Sequence, residues 1–225
     1  MLKLELLHLC DSLFPLGTFA HSEGLEAAAA GSVGVDLREW IDVVLDEAIG
    51  RLEGPAVLRA WDAFDARDWD ALVSVDEELT ALRPASAARR SSRAMGLRLL
   101  TTWHALHPDA RLAHALALAG NGAIGPTLPV AFAGACGCAG AVAVDRRDAI
   151  AAFAYTRLAA TVSAAMRIIS IGQGDAHAIL ARALERVPAV VEAIAGGSAT
   201  LESFAPAMDI AAMSQQYLHS RLFRS

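Results

Sequence analysis

The sequence predicts an all-α protein, a single compact bundle of about ten short-to-medium helices formed by residues 1–225 as one domain. Three observations carry that prediction. Hydrophobic residues make up 55% of the 225 residues while aromatics make up only 6%, so Ala, Leu and Val supply the apolar content, and Ala is the strongest helix former. Runs of Val, Ile, Thr and Tyr between Asn-Gly or Asp-Gly turns, the punctuation of strands, are nearly absent. No internal repeat and no low-complexity linker divides the chain, which is long enough to bury a core without disulfides or metals.

Taken in order, a first helix is expected over 2–11 with Leu4, Leu7 and Cys10 inward, ended where Pro15 and Gly17 break the periodicity. A short helix follows near 22–30. Asp36 reads as the N-cap of a helix from 37 to 50, with Trp40, Val43, Val44 and Ala48 on one face. Gly54-Pro55 opens another to 66, and Asp68 caps one that ends before Pro84. A longer helix spans 85–105, and Pro108-Asp109 begins one closed by Gly120-Asn121-Gly122. Residues 123–144 carry no charge, but their Ala and Gly content and the breaks at Pro126 and Pro129 make them weakly hydrophobic for a membrane span. They read as a central helix whose small residues let neighbours approach from every side. From Asp145 to Ile171, Ile150, Phe153, Ala154, Arg157, Leu158, Thr161 and Ala165 recur at three- and four-residue spacing, the mark of an inward stripe. Asp175 is expected to cap a helix to 186, Pro188 to open a separate one ending at Gly196-Gly197, and a last helix to cover 206–217.

Composition excludes several functions. A formal charge of −6 argues against nucleic-acid binding. Lys3 is the only lysine, so neither a Walker-type phosphate loop nor Schiff-base chemistry has its required residue. Three cysteines, two of them only two residues apart, make no disulfide framework and fit a cytoplasmic setting. Lys3, Glu5 and Asp11 interrupt what would be the apolar region of a secretory signal.

The candidate chemical motifs are weak. Glu5 and His8 share a helix face, but a di-iron bundle needs a second such pair and further glutamates. Cys136 and Cys138 point about 200° apart on a helix, since each residue turns it by about 100°; they read as small core residues, and no metal site is expected there. His104 and His107 share a face near a helix end, and surface histidines there need no ligand. His21, Ser22 and Glu23 are consecutive and cannot converge as a triad. Gly172-Gln173-Gly174 follows a helix and lacks the third glycine of a dinucleotide fingerprint. No catalytic residues and no cofactor are expected.

Two features point instead to partners. Arg89, Arg90, Arg93 and Arg98 form a stripe that is either a solvated face or an anchor for an acidic partner, since arginine's fork binds carboxylates bidentately. At the extreme C-terminus Leu222 and Phe223 are flanked by Arg221 and Arg224. So short a segment cannot bury its own apolar groups, so it folds back on the body or inserts into a partner. Residues 218–225 are read as a docking tail, Phe and Arg being enriched at interface hot spots.

These residues add up to a resemblance. Ser12-Leu13-Phe14-Pro15-Leu16-Gly17-Thr18-Phe19-Ala20-His21-Ser22-Glu23-Gly24-Leu25-Glu26, the stretch 90–96, Val162–Arg167 with Gly172–Asp175, and the terminal Ser220–Ser225 follow one another as in the F-type urease accessory protein. The resemblance implies an all-α, cytoplasmic homodimer with no enzymatic activity of its own. It implies a scaffold joining the D/H-type accessory protein to the G-type GTPase for nickel insertion into apo-urease, with no nucleic-acid or membrane partner. Partner-binding residues are then expected at Arg221, Leu222, Phe223, Arg224, Ser225, Arg90, Arg93 and Glu26. Two departures stand out: the family commonly carries a His-Glu pair where this chain has Gln215 and Gln216, and often a tyrosine at the position of His219. A nickel carrier using Cys136, Cys138 and histidines is the alternative.

Overall fold

A computed structural model describes residues 4–17, 20–31, 34–138 and 144–223. Among these residues every regular element is helical: α1 Leu4–Cys10, α2 Leu25–Ala29, α3 Leu37–Val43, a π-wound segment Val44–Glu53, α4 Gly54–Ala66, α5 Trp69–Ala81, α6 Ser86–Leu106, α7 Ala110–Gly120, α8 Leu128–Gly137, α9 Arg146–Ile168, α10 Gln173–Gly196 and α11 Pro206–Ser214, extended by a 3-10 turn at Gln215–Tyr217. The all-α expectation holds.

Four expected starts are set by aspartates. The side chains of Asp36, Asp68, Asp109 and Asp145 accept from the backbone N–H groups of Arg38, Ala71, Arg111 and Arg147 at 2.7–3.0 Å. Each satisfies a donor that has no partner within the helix.

The core is organised around α8, whose residues Leu128 to Cys136 are all buried between α4, α6 and α9. Its N-terminus is held from outside the helix. Buried Asp76 of α5 accepts from the N–H groups of Gly125 and Thr127, and Ser92 of α6 accepts from that of Leu128. A Cβ on Gly134 would lie 2.6 Å from the ring of buried Phe64, so only glycine lets α4 come this close. By length and composition α9 could cross a membrane, but more than half of its most apolar stretch is buried inside the bundle. All seven residues of its expected inward stripe are buried.

Four expectations need correction. Leu4 and Leu7 of α1 are exposed and Leu9 is buried, because the helix presents its opposite face to α9. Val43 is likewise exposed, whereas Trp40 and Val44 are buried. The chain also does not break before Gly54. α3, the π-wound segment and α4 run on as one rod, since Val44 and Gly54 keep right-handed helical dihedrals. Pro55 removes a donor there, and the Arg51 carbonyl four residues earlier accepts instead from the Glu202 N–H at 2.9 Å. Finally, α10 starts after Gly172, not at an Asp175 cap, and runs through Pro188 to Gly196. Buried Ala183, Val187, Val191 and Ile194 keep helical spacing across the proline, and their packing outweighs the one lost hydrogen bond.

Candidate partner-docking site

The N-terminal and C-terminal family-like segments, remote in sequence, meet at one edge of the bundle. Glu23 and Gly24 both adopt left-handed backbone, at φ 51° and 91°, so the chain turns sharply into α2. At Gly24 a Cβ would lie 2.6 Å from the backbone nitrogen of Ala212, so α11 rests directly on this turn. Leu25 is fully buried beneath it.

Glu26, one turn on, faces the C-terminal tail. Its carboxylate accepts from the backbone N–H groups of Leu222 at 2.6 Å and Phe223 at 3.2 Å, and from the Gln215 side-chain amide at 2.5 Å. The Gln215 carbonyl oxygen in turn accepts from the Ala27 N–H at 3.2 Å. Gln215 is only 1% exposed, so both ends of its amide must find partners, and both do. Phe223 is 2% exposed with the Arg167 guanidinium 4.5 Å from its ring centroid, a cation–π contact. Of the two possibilities open for the tail, the segment through Phe223 folds back on the body here. Leu222 and Arg221 face outward. Arg224 and Ser225 lie outside the described residues.

Behind this edge lies a buried ionic network. Arg157 of α9 donates to Glu53 at 2.8 Å and to Glu23, and Arg83 donates to the other Glu53 oxygen. Burial works to lower the Arg157 pKa, but the Glu23 and Glu53 carboxylates outweigh it and hold the guanidinium firmly charged. Burial likewise works to raise Glu23, and Arg157 and Arg83 overcome it and keep that carboxylate below its ordinary range. The network pins the Glu23–Gly24 turn to α9 and the π-wound segment.

What the edge leaves exposed is apolar. Ile210, Met213 and Tyr217 recur at three- and four-residue spacing, Tyr217 being 82% exposed, and Phe204 and Leu222 are exposed beside them in sequence. Arg90 and Arg93 are exposed on α6, a helix that α11 itself contacts, and Arg93 reaches the Thr80 hydroxyl at 3.5 Å.

The other candidates disperse. Cys136 and Cys138 are buried, and burial pushes the Cys138 thiol up to about 12 despite nearby Arg111. His8 and His107 pack on Trp103, and His114 stacks on Trp69 at 4.3 Å. Among the described residues no three His, Cys, Asp or Glu side chains group so as to hold a metal ion. The Glu26–Gln215 clamp and the role of Glu53 had no local signal in the sequence. Arg157 did have one, since an arginine on an apolar stripe requires buried carboxylates.

Comparison with known proteins matches residues 34–184 to the family model for UreF. A protein named urease accessory protein UreF from Polaromonas sp. strain JS666 is 30% identical over 226 residues, covering 99% of this chain and 94% of that one. Proteins of the same name from Azoarcus sp. strain BH72 and Methylorubrum populi strain BJ001 are 31% and 32% identical, again over 99% of this chain and over 95% and 98% of theirs.

Proposed function

The chain belongs to the UreF family of urease accessory proteins, and we propose that it acts as a non-catalytic, cytoplasmic scaffold whose C-terminal edge docks onto the D/H-type accessory protein. In this reading the other side of the assembly engages the G-type GTPase, and nickel is the cargo delivered to apo-urease. The observation that carries the proposal is the apolar face of α11 and its 3-10 turn, Ile210, Met213 and Tyr217, left exposed on an edge that Glu26, Gln215 and Phe223 hold rigidly. Large apolar groups at an ordered edge are the usual mark of a partner site, and pre-ordering lowers the entropic cost of binding. The tail contributes Arg221 and Leu222 to that surface, with Arg224 and Ser225 following. The same scaffold reading takes the protein as a homodimer. A groove of about 820 Å³ between α1 and α9, floored by Ala151, Ala152 and Ala159 beside half-exposed Tyr155, is the surface we assign to the second copy, because small residues let helices approach closely.

Co-expression with the D/H-type protein tests the docking proposal. Met213→Asp with Tyr217→Asp, and separately a chain truncated after Leu218, are expected to lose co-purification of that partner while remaining folded. Retention of the partner by both at wild-type yield would overturn it.

A further inference from the structure

From Leu79 through Pro108 the chain contains no Asp or Glu, yet it carries five of its arginines there. Elsewhere several surface arginines are neutralised: Arg51, Arg59, Arg146, Arg147 and Arg186 each lie within 3.4 Å of a carboxylate. Exposed Arg38, Arg67, Arg182 and Arg221 stand singly along the chain, without an ion pair among the described residues. On α6 the pattern changes. Arg89 is used internally, capping the Arg83 and Pro84 carbonyls. Arg93 reaches Thr80 and sits in the field of buried Asp76. Exposed Arg90 and Arg98 have no carboxylate within ion-pair distance among the described residues.

The same helix face borders an exposed apolar knob. The turn after α1 is fixed by Asp11, whose side chain accepts from the Leu13 N–H at 2.8 Å and whose carbonyl accepts from the Phe14 N–H at 2.9 Å. Phe14 and Leu16 are buried, Phe14 lying 5.7 Å from the Trp103 ring of α6. Leu13 between them is 87% exposed. Arg98 borders this turn, its Nη1 being 3.2 Å from where a Cβ on Gly17 would stand. Leu97, half exposed, follows on α6.

We infer that Arg90, Leu97 and Arg98 of α6, with the Leu13 turn, form a second docking surface, separate from the C-terminal edge, for an acidic protein partner that also offers an apolar socket. Uncompensated guanidinium groups in a protein of net charge −6 select for carboxylates, which arginine grips bidentately. A second copy does not fit on these arginines, because an isologous contact centred here would set cation against cation. Leu13, Leu97 and Arg98 do not line the groove assigned above to the second copy, although Asp11, Ser12 and Phe14 of the same turn do. A knob held on a closed turn loses little entropy on insertion.

The choice of partners to try rests on the scaffold reading. The full chain, as wild type, Arg90→Glu with Arg98→Glu, Leu13→Ser, and the truncation after Leu218, is titrated with purified D/H-type protein, G-type GTPase and apo-urease in about 0.1 M and about 0.5 M salt, where screening of exposed charge differs strongly. A duplex RNA serves as a second polyanion, and thermal melting monitors the fold. One protein partner is expected to bind about tenfold or more weakly to the charge-reversed chain and to the wild type in high salt, and more weakly to Leu13→Ser. That partner is expected to bind the truncated chain normally. If all three proteins bind the charge-reversed chain as they bind wild type, the α6 surface is wrong while the scaffold reading stands. If none binds any form, both fail together. Capture of duplex RNA alone by wild type and not by the reversed chain would replace the protein partner with a nucleic acid and overturn the inference.

Discussion

α8 and α11 are both apolar helices of about the same length, yet one is buried on every side and the other buries only Ala211. The difference lies in side-chain size. After Leu128, Pro129 and Val130, α8 is Ala, Gly and Cys with one Phe, so backbones crowd in from α4, α6 and α9. α11 rests on the body through Ala211 and the backbone by Gly24, and turns Ile210 and Met213 outward. Small apolar residues here mean core, and the large ones left exposed on an ordered edge are what the docking proposal rests on.

That contrast can be broken by substitution. The largest effect is expected at the junction behind α11. Arg157→Ala would leave half-buried Glu23 without its hydrogen-bonded cation and buried Glu53 with Arg83 alone, and is expected to cost about 3 kcal/mol by chemical denaturation. A loss under about 1 kcal/mol would mean the network does not hold the turn. Next, Gly134→Val on α8 forces atoms into the Phe64 ring and is expected to cost about 3 kcal/mol. The matched change on α11, Ile210→Asp, is expected to alter stability by about 0.5 kcal/mol or less; a large loss there would make α11 a core helix.

Acid sharpens the comparison further. Glu23 is held below its ordinary value in the fold, so its contribution is complete at neutral pH, above the unfolded value, and is lost as pH falls through the folded one. Glu23→Gln should therefore flatten the acid limb of a stability profile measured below about pH 4.5. Asp76 works oppositely, because burial raises it and the folded state takes up a proton first. The smallest effect concerns the thiols. Burial pushes Cys10 up to about 11 and Cys138 to about 12, so alkylation near neutral pH should label them appreciably only after denaturation. Fast native labelling of Cys138 would mean that α8 opens at its C-terminal end.

Much of the helical framework was legible because its signals are local. Aspartate caps mark four starts, and the spacing of Ile150 to Ala165 marks the buried face of α9. The errors arose where tertiary contacts override a local breaker. Pro188 lies inside α10 because Val187 and Val191 are already anchored on either side, and Pro55 is tolerated because Glu202 supplies the missing donor. The docking edge was half legible. The terminal Arg221-Leu222-Phe223 announced an apolar tail, but its seat on Glu26 joins residues at opposite ends of the chain, which no periodicity encodes. Gln215, seen in the sequence only as a departure from the family, is the buried hinge of that contact.

The most direct test measures the affinity of the D/H-type protein for Met213→Asp with Tyr217→Asp, alongside the melting temperature. The expected result is a melt within a few degrees of wild type and binding weakened at least a hundredfold, as for loss of interface anchors. Unchanged binding by a folded variant would contradict the assignment of α11 as the partner face.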